Sequence, residues 1–499
     1  MNPYLQHIPL GEPLPLNNPH AVSVSLPAMS DVIGYEENNP IVKNAMKSGY
    51  PRFFTNKLVD DLCKFVRLKN QISEEFELLP LMSEKSLEII KAKFNLQFTI
   101  VEESGSVFLK ISKEDDKLSD IKDFIRHTGL LLSSRKAEDI LCSLSQISAV
   151  FEEEISTELE AADIIKSNLC EAYNAESTKN IFLASCGMNA VYAAYEAIAQ
   201  LNKNTKKQTV IQAGWLYLDT FEIIRKFSSN NILIASATEI RELESKIISQ
   251  HKTIGAIFTE VPNNPLVECL DLPYLYELCQ KYDIPLIVDC TIGTPYNMNM
   301  LPYCDVAAES LTKFACGKGD VLMGAIIVNP KSKFANKIKE NINSGLISPY
   351  KRDEQRLAQN IAEYESRVAK VSENTLKLIS YLEKSPVVSQ IFSVLHTKSK
   401  ENFLKIRKEQ NSIPGLISVV FDKDLVNYYD NLNLPKGPSL GTEFTLAMPY
   451  VYLAHYDLVK TPEGRKSLIE MGLHPELLRI SVGVEPIDQL LSVFKDAGI

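Results

Sequence analysis

The spacing of apolar positions changes several times along the chain, and each change indicates a different kind of element. Residues 1–40 are rich in proline and show little periodicity, which predicts an extended arm. An amphipathic pattern resumes at residue 41 and continues to residue 66. We therefore assign residues 1–66 to an N-terminal arm that lies on another part of the protein or on a partner.

The next stretch, residues 67–150, is predicted to form a small α+β insert. Apolar residues recur at helical spacing in 87–94 and 118–125, whereas they alternate in 96–100 and 107–111. The expected order is helix, strand, strand, helix. The insert contains no catalytic motif, so its role is left open.

Residues 151–365 change to short apolar runs separated by helical patterns. Such runs are typical of buried parallel strands. The runs are TVIQA at 209, NILIASA at 231, AIFTEV at 256, PLIVDCT at 285, VAAESL at 306 and GAIIVNP at 324. They predict an α/β domain whose mainly parallel sheet is covered by helices, with ligands at the carboxyl ends of the strands.

A long amphipathic stretch from Ala358 leads into the last part of the chain. Residues 366–499 are predicted to form a smaller α+β C-terminal domain. Its strands are expected at GLISVVFD and LLRISVGV, and its last helix at IDQLLSVFKDAG.

Composition and charge narrow the function classes. The 499 residues include 63 acidic and 53 basic side chains, for a net charge of −10, which argues against nucleic-acid or anionic-membrane partners. Nine cysteines without paired spacing indicate reduced thiols and a cytoplasmic location, and seven isolated histidines predict no metal site. No signal peptide is evident, and no apolar run reaches the ~20 residues of a membrane span.

Two strand ends supply the strongest candidate chemistry. Lys313 follows Ser310 and Thr312 after one predicted strand, and Asp289 ends another. A lysine beside two hydroxyls can form a Schiff base while the hydroxyls bind a phosphate, and a buried carboxylate can hold a pyridinium nitrogen protonated. Taken alone, Lys313 is equally well a surface lysine and Asp289 a helix cap.

A second candidate is the sequence SCGMNA, which stands directly before a predicted helix. The turn at Gly187 and Met188 would present free backbone N–H groups to a phosphate. An ordinary capped helix gives the same pattern.

In combination, six motifs resemble the Cys/Met-metabolism family of pyridoxal-phosphate enzymes. They are SGYPRFFTNKLVDDL, SCGMNA, the stretch from EVPNNPL to PLIVDCTIGTP, SLTKFACGKGDVLMGA, PSLGTEF and LLRISVGVEPIDQLL. The segments HAVSVSLPAMSDVIGYEE and GWLYLDTFEII are most similar to the fungal-type cystathionine γ-synthases of that family. The resemblance implies the type I pyridoxal-phosphate aminotransferase-like fold and pyridoxal 5'-phosphate as the cofactor.

The resemblance also implies a role for each matching residue of the cofactor site. Lys313 would form the Schiff base and shuttle protons, and Asp289 would pair with the ring nitrogen. Tyr217 would stack on the ring and assist proton transfer, and Asn264 would bind the phenolic oxygen. The phosphate would be bound by Gly187, Met188, Ser310 and Thr312. Without the resemblance, Tyr217 is equally a core aromatic and Asn264 a turn residue.

The resemblance implies roles for two further pairs of residues. Arg479, helped by Ser439, would bind the substrate carboxylate as a bidentate fork, although a strand-end surface charge gives the same pattern. Tyr50 and Arg52 would reach the phosphate of a neighbouring subunit, which implies a homodimer or homotetramer with shared active sites. The chain departs from the family pattern in the insert and in Lys318, which stands where the family usually has histidine.

The activity implied is γ-replacement on an O-activated homoserine by a thiol such as L-cysteine, giving cystathionine in transsulfuration and methionine biosynthesis. Alternatives of the same family are a γ-lyase, a homocysteine-forming sulfhydrylase and a β-lyase. A non-catalytic regulatory protein that binds the cofactor is the remaining alternative.

Overall fold

The computed structural model describes residues 2–51, 53–95, 99–158, 160–236, 238 and 240–499. The arm contains two short paired strands and three helices. They are β1 Pro13–Leu14, β2 Ser23–Val24, α1 Met29–Glu36, α2 Pro40–Ala45 and α3 Lys57–Lys69. The arm lies on its own chain, because Val22 N donates to Gly319 O at 2.9 Å and Leu26 N donates to Lys436 O at 2.8 Å.

The insert contains one strand and one helix more than the pattern predicts, β3 and α6. Its elements are β3 Phe76–Leu81, α4 Glu84–Phe94, β4 Thr99–Glu103, β5 Ser106–Ser112, α5 Leu118–Thr128 and α6 Ser134–Ser143. The strands form an antiparallel sheet in the order β3-β5-β4. Strand β3 has its buried positions at Leu78 and Leu81, three residues apart, so it lacks the alternation that reveals a strand. Leu96 and Phe98, which were expected in a strand, lie outside the described residues.

The central region forms a seven-stranded sheet between helices. Its elements are α7 Ala161–Tyr173, β6 Ile181–Ala184, α8 Gly187–Asn202, β7 Thr209–Ala213, α9 Leu218–Phe227, β8 Asn230–Ile234, α10 Ile240–Gln250, β9 Ile254–Glu260, α11 Leu272–Lys281, β10 Leu286–Asp289, β11 Val306–Ser310, β12 Gly324–Val328, α12 Ala335–Asn341 and α13 Lys351–Ile361. Short 3₁₀ turns occur at Thr178–Asn180, Leu301–Tyr303 and Ile342–Ser344.

The strand order is β6-β12-β11-β10-β9-β7-β8. All six predicted apolar runs are strands, and β6 is an additional one. The prediction of a parallel strand is wrong for the run GAIIVNP, because β12 is antiparallel to both β11 and β6. A buried apolar run indicates that both faces of a strand are covered, but it does not reveal the direction of the strand. The remaining neighbours are parallel, which confirms the mainly parallel sheet.

Register brings the ends of several strands to one edge of this sheet. Asp289 pairs with Glu260 in one neighbour and with Ala308 in the other, and Gly324 pairs with both Ser310 and Ala184. The carboxyl ends of β6, β9, β10 and β11 therefore meet the start of β12 at this edge.

The last part of the chain contains a four-stranded antiparallel sheet in the order β13-β14-β16-β15. Its elements are α14 Tyr364–Leu382, β13 Val388–Phe392, α15 Lys400–Ile406, β14 Leu416–Phe421, α16 Val426–Tyr429, β15 Leu446–Pro449, α17 Tyr450–Ala454, α18 Tyr456–Val459, α19 Pro462–Glu470, β16 Leu478–Ser481 and α20 Ile487–Asp496. The long amphipathic stretch from Ala358 is divided between the end of α13 and α14. The predicted strands and last helix correspond to β14, β16 and α20.

The insert packs against the central region through a shared hydrophobic cluster. Ile121, Phe124 and Ile125 of α5 belong to the same buried cluster as the apolar residues of α8. The rings of Phe124 and Tyr192 meet edge to face at 5.6 Å between centroids. The domain boundaries stay a prediction. No helix in the described ranges is long and apolar enough to cross a membrane.

Candidate active site

A cavity of about 180 Å³ opens at the edge of the sheet where the strand ends meet. Eleven of the twelve residues proposed from the sequence line it. They are Tyr50, Gly187, Met188, Tyr217, Asn264, Asp289, Ser310, Thr312, Lys313, Ser439 and Arg479. The twelfth, Arg52, lies outside the described residues. Their individual roles stay predictions, but the structure brings the eleven together.

Lys313 lies in a turn directly after β11 and is 8% exposed. Its Nζ donates to Ser439 Oγ at 2.8 Å and to Tyr50 Oη at 3.3 Å, and it lies 4.6 Å from the centre of the Tyr50 ring. The turn is held by Thr312, whose Oγ1 accepts from Met323 N at 3.3 Å. The amine is therefore inside the cavity and is oriented by two hydroxyl groups.

Tyr50 reaches the site of its own chain, which differs from the expectation that a neighbouring subunit supplies it. The segment before Tyr50 is held by the same chain, because Ser48 Oγ donates to Ala21 O at 2.7 Å. Ala21 belongs to the N-terminal arm, so the arm of the same chain holds this segment. The oligomer with shared sites stays a prediction.

Two buried carboxyl groups stand side by side at the ends of β9 and β10. Asp289 Oδ1 accepts from Thr291 N at 2.9 Å, and Glu260 accepts a bond from Tyr217 N. Burial raises the pKa of Asp289, and burial together with the nearby charge of Asp289 raises the pKa of Glu260 well above its usual range. Like charges on neighbouring buried carboxyl groups disfavour ionisation of both at once.

The start of α8 packs so closely against β11 and β12 that a side chain on the glycines between them would clash. A Cβ on Gly187 would lie 2.6 Å from the Cβ of Ser310, and one on Gly324 would lie 2.4 Å from Cys186 O. Close backbone approach lets the first N–H groups of α8 face the cavity beside the Ser310 hydroxyl. This arrangement is suited to an anion such as a phosphate.

Arg479 is a buried cation on β16. Its Nη1 donates to Asn264 Oδ1 at 3.3 Å, its Nη2 donates to Ser439 O, and its Nε has no hydrogen-bond partner among the described residues. Burial lowers the pKa of Arg479 to about 10, which still leaves it charged at neutral pH. A carboxylate ligand would complete its bonding.

Ser439 holds the two cations of the site in place. Its φ of 86° lies in the left-handed region, which costs a non-glycine residue on the order of 1–3 kcal/mol. In this conformation its carbonyl oxygen faces Arg479 while its hydroxyl faces Lys313. The sequence associated Ser439 with Arg479 only.

These features fit pyridoxal 5'-phosphate. The buried Asp289 suits a cationic ring nitrogen, the glycine-lined start of α8 suits the phosphate, and Lys313 suits the aldehyde. The bond from Arg479 to Asn264 Oδ1 leaves the Asn264 amide nitrogen to donate to an oxygen.

Comparison with known proteins agrees with this geometry. The family model described as Cys/Met metabolism PLP-dependent enzyme matches residues 161–497, well over half of the chain. The chain belongs to the Cys/Met metabolism family of pyridoxal-phosphate-dependent enzymes. Its cofactor is therefore pyridoxal phosphate, and the proposed resemblance is confirmed.

Relatives match the chain over nearly its whole length. The L-2-amino-4-chloropent-4-enoate dechlorinase/desaturase of Streptantibioticus cattleyicolor is 35% identical, covering 97% of this chain and 98% of that protein. The cystathionine γ-synthase of Neurospora crassa is 27% identical, covering 98% of this chain and 97% of that protein.

Solved structures confirm the type I fold. A cystathionine γ-lyase from Lactobacillus plantarum, complexed with L-serine, has a TM-score of 0.57 at 20% identity and covers 70% of this chain and 91% of its own. A cystathionine γ-synthase from Xanthomonas oryzae pv. oryzae, complexed with aminoacrylate and cysteine, has a TM-score of 0.57 at 19% identity, covering 68% of this chain and 86% of its own.

Several cavity residues were missed from the sequence, among them Glu260, Thr291 and Arg126. The first two had a usable signal, because Glu260 stands next to the end of the predicted strand AIFTEV and Thr291 follows Asp289 by two residues. Arg126 had none, since its place in the cavity depends on how the insert packs.

Proposed function

We propose that this enzyme acts on an α-amino acid with a leaving group on its γ-carbon, such as an O-activated homoserine. It replaces that group with a thiol, such as that of L-cysteine, and the product is then cystathionine. The observation that supports this most is the single cavity that contains Lys313, Asp289 and Arg479. Relatives named cystathionine γ-synthase, which match the chain from end to end, also support it.

Pyridoxal phosphate, when bound, supplies the electron sink for negative charge at the substrate carbons. Asp289, at the end of β10, would pair with the ring nitrogen and hold it protonated. Arg479 binds the substrate carboxylate and fixes the orientation of the α-carbon.

Lys313 moves the protons. Its Nζ would accept the α-proton of the substrate, and a second proton transfer at the β-carbon would let the γ-substituent depart as an anion. Ser439 Oγ and Tyr50 Oη, at 2.8 and 3.3 Å, hold Nζ between these carbons. Thiol addition at the γ-carbon then requires the two protons to be returned.

Elimination without a thiol is the second candidate. The dechlorinase/desaturase relative has the higher identity, 35% against 27% for the Neurospora crassa synthase. The same residues would remove an α-proton and release a γ-substituent, but no second substrate would enter.

A substrate panel separates the two candidates. O-Acyl- and O-phospho-homoserine are each incubated with cysteine, with sulfide or without thiol, and L-2-amino-4-chloropent-4-enoate is incubated alone. Cystathionine formed only with cysteine supports the proposal, whereas chloride release from the chloro compound supports elimination. No product from any homoserine ester would overturn γ-replacement. Lys313→Ala protein is the matched blank.

A further inference from the structure

The insert reaches the active-site cavity and lines it with Arg126, Gly129 and Leu131. The end of α5 is seated on the start of α8. Ser185 Oγ donates to Gly129 O at 3.2 Å, and Asn189 Nδ2 donates to Thr128 O at 3.4 Å. A Cβ on Gly129 would lie 2.2 Å from Cys186 Sγ. The insert therefore forms the wall of the cavity at its phosphate end.

A second contact joins the insert to the helix that follows Tyr217. His127 Nδ1 lies 2.6 Å from Asp219 Oδ1, and both side chains are buried. Helix α5 thus contacts the starts of both α8 and α9. These two contacts fix the position of α5 relative to the cofactor site.

The charges around the cavity indicate what this wall could bind. The phosphate of the cofactor has a charge of about −1.5 to −2 at neutral pH. The groups at the start of α8 that face it are neutral backbone N–H groups and hydroxyls. Among the described residues, the cations that line the cavity are Lys313, Arg479 and Arg126. Arg52, which the family motif assigns to the phosphate, lies outside the described residues. Lys313 is needed at the aldehyde, and Arg479 contacts Asn264 and Ser439 on the substrate side.

Arg126 has bonding capacity to spare. Its Nη2 donates to Asp123 Oδ1 at 2.7 Å and lies 3.4 Å from His127 Nε2, while its buried Nε has no hydrogen-bond partner among the described residues. Its side chain is 38% exposed, and Arg126 is among the residues that line the cavity. Asp123 has a further cation in Lys226, at 2.5 Å, so it does not depend on Arg126 alone.

We propose that Arg126 binds the phosphate dianion of bound pyridoxal phosphate, so that the insert supplies a residue of the cofactor site. This adds a charge-assisted contact to the neutral groups at the start of α8. It also gives the insert a purpose that its sequence did not reveal.

The test is cofactor affinity, measured by absorbance titration of apoprotein with pyridoxal phosphate and with pyridoxal, which lacks the phosphate. Arg126→Ala is expected to weaken pyridoxal phosphate binding about tenfold or more and to change pyridoxal binding less than twofold. Arg126→Lys, which keeps the charge but not the fork, is expected to lie between. Arg225→Ala is the matched control, because Arg225 is on neighbouring α9, pairs with Glu222 at 2.6 Å and does not line the cavity.

Two results would overturn the proposal. Equal loss of affinity for both cofactor forms would mean that Arg126 only supports the fold. Unchanged affinity for pyridoxal phosphate, with a raised KM for the amino-acid substrate, would assign Arg126 to the substrate instead. If Arg126→Ala does not fold, the ratio of the two affinities in Arg126→Lys decides in the same way.

Discussion

Arg479 shows how burial prepares one side chain for a ligand. It is 4% exposed, its Nε has no hydrogen-bond partner among the described residues, and its two other nitrogens donate to an amide oxygen and a carbonyl oxygen. A buried cation bonded only to neutral groups is costly unless a charged ligand joins it. The cost is therefore offset when the substrate carboxylate binds.

Arg479→Lys is expected to lower kcat/KM by about 10- to 100-fold, because an ammonium group cannot form two parallel bonds to a carboxylate. Affinity for pyridoxal phosphate should change little. Steady-state kinetics and cofactor titration measure the two effects, with Arg225→Lys as the control. Collapse of cofactor binding with intact substrate affinity would instead make Arg479 a phosphate or structural residue.

Glu309 is a second buried group whose ionisation matters. It accepts from Tyr173 Oη at 2.6 Å and from Tyr364 Oη at 2.7 Å. Burial, the largest cause, raises the pKa of Glu309 from 4.5 to about 7, and the charge of Asp289 adds to this. In the folded state Glu309 is thus protonated over a pH range in which the unfolded chain would release the proton.

The sign of the linkage follows from the raised pKa. Between pH 4.5 and about 7 the folded state binds more protons than the unfolded state, so stability falls as pH rises through this range. Glu309→Gln should remove that fall, which amounts to on the order of 3 kcal/mol. Urea unfolding of both apoproteins at pH 5 and pH 8 measures it. The same pH dependence in wild type and variant would contradict this account of Glu309.

At the scale of elements, a buried charge network fastens the insert to the central region. Arg135 on α6 is fully buried and donates to Glu153 Oε2 at 2.6 Å, to Asp353 Oδ1 of α13 at 2.9 Å and to Asp320 O at 2.7 Å. Asp320 follows the turn that contains Lys313. The network therefore connects three separate segments near the active site.

Arg135→Ala should lower the free energy of unfolding by about 3–5 kcal/mol, because it leaves Asp353 buried without its cation. Glu153 keeps Arg352, at 3.1 Å, and Arg356, at 3.7 Å. Chemical unfolding of the apoprotein measures this loss. Lys64→Ala is the control, since the Lys64–Asp60 pair on α3 is exposed and its removal should change nothing measurable. A loss no greater than that of the control would mean that the network is solvated.

The central elements could be predicted because their signals are local. Asp289, Ser310 and Lys313 stand at or after the ends of buried apolar runs, and parallel strand ends meet at one edge of a sheet. Strand β3 and the direction of β12 could not be predicted, since the first lacks alternation and the second depends on its neighbours. Placing Tyr50 and Arg479 in the site required the family motifs, because both lie far from Lys313 in the sequence.

For the whole molecule, the question is which chain supplies the arm. The structure places Tyr50 3.3 Å from Lys313 of the same chain, and the segment before it is fastened to that chain. Each chain in this arrangement contains the Tyr50 and Lys313 of its own site.

Mixing Tyr50→Ala protein with Lys313→Ala protein tests this arrangement. Both variants should lose most activity, and the mixture should recover none, because every chain lacks one of the two residues. Differently tagged chains, co-purified after co-expression, show whether mixed assemblies formed. Recovered activity in such assemblies would mean that the arm crosses to a partner, as the family motifs imply.

Lys313 is the residue on which the whole account depends, and it can be tested directly. Borohydride reduction of the holoenzyme, followed by proteolysis and mass spectrometry, locates the lysine that is linked to pyridoxal phosphate. We predict a single labelled peptide with the cofactor on Lys313, and loss of both label and turnover in Lys313→Ala. Labelling of a different lysine, or persistent turnover in the variant, would contradict the account.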